Sequence, residues 1–150
     1  MTSETSNEAP IGLLGVVATS RFIHKTRKNL CYEPTYQLGP NKTPDMSAIY
    51  QIIKSVIDSR LSNFVYDGET ARSLCMSMSD EITKSVNALD SVKDSRYRTI
   101  AFVTVGEKKG QTVEISSRCA WSSAIDNHVS YSLEEPSYFC VATVYVVYKE

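Results

Sequence analysis

Apolar and polar residues alternate along the last third of the chain with the period of two that is typical of β-strands. Within Gln111–Trp121, Val113, Ile115 and Trp121 fall on one side, whereas Glu114 and its polar neighbours fall on the other, because successive side chains of a strand point to opposite faces. A strand with one apolar and one polar face is half buried. We therefore predict that this stretch lies at the surface of a sheet.

Three further runs predict the neighbouring strands. Tyr97–Val105 is rich in β-branched and aromatic residues, and the glycines at both ends of the run 106–110 predict a hairpin into Gln111–Trp121. His128–Leu133 alternates after a polar loop, and Tyr138–Tyr148 is apolar on both faces. A strand that is apolar on both faces belongs in the middle of a sheet. We therefore predict a four-stranded antiparallel sheet with Tyr138–Tyr148 at its centre.

Two stretches upstream carry the three- and four-residue apolar spacing of amphipathic helices. The first stripe runs over Met46–Leu61 and follows Thr43, which provides a capping hydroxyl, and a proline in the first turn. The second stripe runs over Ala71–Leu89 and follows an acidic start at Asp67. Residues 90–95 form a polar link to the sheet. Two N-terminal helices followed by strands predict an α+β domain in which both helices pack on one face of the four-stranded antiparallel sheet.

Composition and charge place the chain among soluble globular proteins. It has 150 residues, of which 42% are hydrophobic and 22% charged, and a formal net charge of -1, which gives no reason to expect nucleic-acid or membrane-surface binding. No apolar run approaches the ~20 residues of a membrane span. We predict a folded domain over residues 42–150 and a flexible arm over residues 1–41, where polar residues and prolines dominate. A cytoplasmic location is expected.

The sequence does not contain the common catalytic motifs. It has no glycine-rich phosphate loop, no nucleophile elbow and no H-E-x-x-H. Ser122 or Ser123, together with Asp126 and His128, has the residue types of a hydrolytic triad. All of them lie in or beside one polar loop, so a solvated loop is the favoured interpretation. The four cysteines include no C-x-x-C pair, so buried free thiols are favoured over a zinc site. We expect no catalysis, no cofactor and no metal.

Several runs resemble the Tctex-type dynein light chains. The most specific are Ser116–Trp121 and Phe139–Tyr145. The upstream runs that agree with the same family are Tyr36–Pro40, Asp80–Lys84, Tyr97–Ile100 and Gly106–Gln111. The first of these is similar to the lead-in of the Tctex-domain members with a longer arm. The resemblance extends over Thr35–Glu150, so it covers the whole predicted domain.

The resemblance implies a non-catalytic dynein light chain whose fold is a strand-exchanged dimer, either a homodimer or a heterodimer with another Tctex-type light chain. It also implies that a dynein intermediate-chain peptide binds as an added strand, and that cargo peptides are further partners. The expected location is the cytoplasm and the cytoskeleton, including a cilium or axoneme. The alternative function is a dimerisation hub or cargo adaptor that binds extended peptides independently of the motor.

Gln111–Trp121 is the predicted dimer or partner-peptide strand, because a half-polar strand with unpaired backbone groups is a template for strand addition. Its candidate contact residues are Val113, Ile115, Ser116, Ser117, Arg118, Cys119 and Trp121. An equally good interpretation of Trp121 is a core anchor at the strand end. An equally good interpretation of Arg118 is an ordinary surface charge. Members of the family usually carry a large apolar residue in place of Ala120 and an acidic one in place of Ser122.

Overall fold

The computed structural model describes residues 16–20, 39–93 and 96–149, and of residues 16–20 it describes the backbone. The helices are α1 (Met46–Leu61), α2 (Gly68–Asn87) and the short α3 (Asp90–Lys93). The strands are β1 (Val16–Ser20), β2 (Tyr97–Glu107), β3 (Asn127–Glu134) and β4 (Tyr138–Tyr148). The strands form one antiparallel sheet in the order β1-β2-β4-β3. The α+β class and the three strands predicted over β2, β3 and β4 are confirmed.

Both long helices begin at an aspartate whose side chain caps the first turn. The Asp45 carboxylate accepts hydrogen bonds from the backbone amides of Ser47 (2.9 Å) and Ala48 (3.3 Å), so the predicted cap at Thr43 is wrong by two positions. The Asp67 carboxylate accepts from the Thr70 amide at 3.1 Å. That bond lowers the pKa of the Asp67 carboxyl below its ordinary value. A carboxylate at this position satisfies orphan amides and favours the positive end of the helix dipole.

One core lies between the helices and the inner face of the sheet. Helix α1 packs on α2 and β3, and α2 packs on β2, so each apolar stripe is covered. The largest fully buried side chains of the helices are Ile49, Ile53, Ile57, Met78, Ile82 and Val86, and those of the sheet are Val103, Val105, Val144 and Val146. Strand β4 lies between β2 and β3, and its predicted central position is confirmed. The link at residues 90–95 differs from its prediction, because α3 forms there and buries Val92.

The fourth predicted strand does not form in the single chain. Gln111–Trp121 has no regular structure and its residues are almost all exposed. A strand requires a neighbour for its backbone groups, and the predicted hairpin would have placed this segment beside β2. That edge of β2 is occupied by β1, which lies within the predicted arm. Most of the arm (residues 1–15 and 21–38) lies outside the described residues, so its flexibility and the domain boundary at residue 42 stay predictions.

The buried cysteines give a direct test of the core. Burial raises the pKa of Cys140 to about 12 and also raises that of Cys75, and both side chains are fully covered, whereas Cys119 is exposed. The thiolate is the reactive form of cysteine. In a Cys31→Ser variant, we therefore expect a thiol reagent to modify only Cys119 in the folded protein and all three cysteines after denaturation. Rapid modification of a second thiol in the folded state would contradict the core assignment.

Candidate partner-binding site

The face of the sheet that points away from the helices is apolar and open. This outer face consists of the alternate residues that the core does not bury, namely Ile100, Phe102, Phe139, Val141, Tyr145 and Val147. A cavity of about 1210 Å³ lies between the outer face and residues 111–121. Single helices and sheets bury one apolar face, and an apolar patch that stays open marks an interaction surface.

The seven candidate residues of the sequence analysis all line this cavity. Val113 and Ile115 keep 41% and 45% of their surface exposed, which is high for large aliphatic side chains. The remaining members of the set are Ser116, Ser117, Arg118, Cys119 and Trp121, of which only Trp121 is half buried. The structure therefore brings the candidates to one place, although the segment that carries them is not a strand here.

The start of the segment is fixed by its own turn. The Gln111 side-chain amide donates to the Glu107 carbonyl and its oxygen accepts from the Lys109 amide (2.6 Å). Gly110 has a φ of 79°, a conformation that favours glycine. The Lys108 ammonium lies 2.6 Å from the Glu134 carboxylate and lowers the pKa of that carboxyl. The turn therefore leads the chain over the outer face rather than along the β2 edge.

The end of the segment is fixed by aromatic packing. The Trp121 ring lies 5.5 Å from His128 and 6.1 Å from Tyr145, measured between ring centroids, and His128 stacks on Tyr145 at 5.9 Å. All three rings lie at the outer face, so Trp121 is not an anchor of the core between helices and sheet. Because both ends of the segment are held and its middle is exposed, residues 112–120 are the part available to a partner.

The loop after Trp121 is held by hydrogen bonds of the Asp126 side chain. The Asp126 carboxylate accepts from the backbone amides of Ser122 (3.1 Å) and Tyr148 (2.8 Å), and His128 packs against aromatic rings. A hydrolytic triad requires a carboxylate that orients the imidazole, whereas the Asp126 carboxylate binds backbone amides instead. Within residues 39–93 and 96–149, no group of three or more His, Cys, Asp or Glu side chains is arranged to hold a metal ion.

Sequence reasoning missed the residues of the outer face themselves. The run Tyr138–Tyr148 is apolar on both faces, which indicates that something must cover the second face, whereas the predicted contact residues all lie within residues 111–121. Gly106 also belongs to the outer face, because the Phe139 ring lies over it and a Cβ at this position would overlap that ring. The signal for Phe139 and Val141 was therefore present in the alternation of β4.

The structure is thus an α+β domain with helices on one face of its sheet and an open apolar outer face, and such open apolar faces are typical of domains that associate with other polypeptides. Residues 44–147 match the model of the Tctex-1 family. The chain belongs to the Tctex-1 family. Of the helices in the described part of the chain, none is long and apolar enough to span a membrane.

The relatives that the chain matches are named as dynein light chains. It is 35% identical to dynein light chain Tctex-type 5-B of Xenopus laevis over 127 residues, which is 83% of this chain and 69% of the relative. It is 36% identical to dynein light chain Tctex-type 5 of Homo sapiens over 128 residues, 83% of this chain and 68% of the relative. Dynein light chain Tctex-type protein 2B of Danio rerio is 30% identical over 116 residues, which is 76% of this chain and 75% of the relative.

Proposed function

We propose that the chain is a non-catalytic dynein light chain that dimerises by exchange of Gln111–Trp121 and binds a dynein intermediate chain as an added strand. Its family and the names of its relatives support the motor assignment. The observation that carries the binding mode is the open apolar outer face, with the exposed segment that lies over it. The proposed location is the cytoplasm and the dynein-associated cytoskeleton, including a cilium or axoneme.

A second light chain is the simplest cover for the outer face. The helices already lie on the inner face, and the described residues that lie over the outer face are those of the exposed segment and its turn. Complete burial of an aliphatic side chain such as valine or isoleucine stabilises by roughly 1.5–3 kcal/mol. Val113 and Ile115, which are about half exposed, would each contribute about half of that on pairing with a second copy. An isologous dimer uses every such contact twice.

The polar side of the same segment suits an extended peptide. Ser116, Ser117 and Arg118 are exposed, and their backbone groups make no strand pairing in the single chain. A peptide that adds as a strand obtains its affinity from backbone hydrogen bonds and its specificity from alternate side-chain pockets. The intermediate chain is therefore proposed to bind at the exchanged segment, and a monomer would lack half of this site.

Recovery of dynein subunits from ciliated tissue tests the proposed function. Tagged full-length chain should recover dynein intermediate or heavy chain, identified by mass spectrometry, whereas an Ile115→Arg chain should recover neither. A Val65→Arg chain is the control, because Val65 is an exposed aliphatic residue in the α1–α2 connector, away from the cavity. Recovery of other partners without either dynein subunit would favour the motor-independent hub or adaptor instead.

A further inference from the structure

The two edges of β2 are distinguished by the direction of its backbone groups. The Arg96 carbonyl accepts from the Lys149 amide, and the Lys108 amide donates to the Ser137 carbonyl, both at 2.9 Å. Even-numbered residues therefore face β4, and by alternation the odd-numbered residues face the opposite edge. The Ala101 carbonyl agrees, since it accepts from the Ser79 hydroxyl of α2 at 3.1 Å.

Strand β1 occupies the C-terminal half of that opposite edge. Its register pairs Val17 with Val105 and Thr19 with Val103. Both β2 residues are odd-numbered, so these are the pairs that exchange backbone hydrogen bonds, whereas Ala18 points its amide away from β2. Five residues of the predicted arm thus fill an edge that would otherwise be open to another strand.

The same edge is the one that an exchanged strand fits. Gln111–Trp121 is as long as β2, which has 11 residues. Apart from β1 itself, the other edge of the described sheet is formed by β3, which has 8 residues and is shorter than the segment. The hairpin pattern also favours β2 as the neighbour of this segment. Each edge-facing amide and carbonyl pairs with one neighbouring strand, so β1 and an exchanged strand cannot both occupy positions 102–106.

We propose that β1 is an internal competitor of dimerisation, which must leave the β2 edge before Gln111–Trp121 of a second copy pairs there. This inference rests on the strand exchange of the proposed function. The arm is tethered to the domain, so even a five-residue strand competes at a high effective concentration. The apparent affinity of the dimer is then lowered by the square of the fraction of chains whose edge is free, because both copies must present a free edge.

A pair of proline substitutions separates this competition from a general effect of the arm. Thr19→Pro removes an amide that faces β2, whereas Ala18→Pro removes one that faces away, and proline is tolerated at such outward positions of edge strands. We expect Thr19→Pro to tighten the dimer about a hundredfold, as it would if about nine in ten edges are closed in the natural chain, because the β2 edges of both copies must be free in an exchanged dimer. Ala18→Pro should dimerise like the natural chain. Sedimentation equilibrium by analytical ultracentrifugation of the full chains gives the dissociation constants.

A synthetic peptide of residues Leu14–Phe22 provides the complementary measurement. Added to the Thr19→Pro chain, it should weaken the dimer again, whereas the same peptide with proline in place of Thr19 should not. Val17→Pro is the second variant, since Val17 faces Val105, and it should act like Thr19→Pro. Far-UV circular dichroism checks that each variant is folded, because Trp121, the single tryptophan, lies in the exchanged segment and its fluorescence would also respond to dimerisation.

Each outcome has a distinct meaning. If the natural chain dimerises and Thr19→Pro and Val17→Pro leave the dissociation constant unchanged or raise it, the competition is wrong and the exchanged dimer stands. If every variant stays monomeric at all concentrations, the exchanged dimer of the proposed function and this inference are both wrong.

Discussion

Val144→Asp is expected to leave the chain unfolded. Val144 is fully buried at the centre of β4, opposite Ala101 on β2 and Val129 on β3, and it faces the helices. A carboxylate there would be an unpaired buried charge, which costs several kcal/mol. The total stability of a domain of this size is only about 5–15 kcal/mol. Circular dichroism and denaturant titration should show no cooperative transition.

Val141→Asp is the matched control for this prediction. It makes the same substitution on the same strand, but Val141 lies on the outer face and lines the open cavity, where water reaches a carboxylate. We expect this variant to fold with a cooperative transition and to lose dimerisation. If Val144→Asp protein is soluble and melts cooperatively, the assignment of the two faces of β4 is wrong.

The sequence was sufficient to predict the elements that are stabilised within one chain. The helical stripes around Ile53 and Ile82 and the two-faced run at Tyr138–Tyr148 each record burial on a particular side, because a periodic pattern reflects the face that the core covers. These elements appear as predicted, with shifts of a few residues at their ends. The Asp45 cap was missed because Thr43 and Asp45 are both good capping residues, and only the helix register distinguishes them.

The parts that could not be predicted are those that depend on which strand occupies an edge. The alternation of Gln111–Trp121 describes how its side chains divide between two faces, but alternation does not supply a neighbouring strand. Val16–Ser20 carries no comparable signal, since a short edge strand is stabilised mainly by backbone pairing. The candidate residues from Val113 to Trp121 do line one cavity, whereas their contacts with a partner remain proposals.

Ile115→Arg is expected to convert the protein into a folded monomer that no longer binds an intermediate-chain peptide. Ile115 is 45% exposed in the single chain, so an arginine there can extend into solvent and the fold should survive. In the exchanged dimer the same side chain would be buried, and an uncompensated buried charge costs about 3–5 kcal/mol. The dimer dissociation constant should therefore rise at least about a hundredfold.

Two measurements and one control decide this prediction. Light scattering gives the mass, and calorimetry gives the affinity for the intermediate-chain peptide, which should fall in parallel because the proposed site includes the exchanged strand. Val65→Arg makes a similar aliphatic-to-arginine change at a residue that is 84% exposed and outside the cavity lining, and it should alter neither quantity. A folded Ile115→Arg monomer that still binds the peptide at the strength of the natural chain would place the binding surface within one subunit, since binding would then need no second copy.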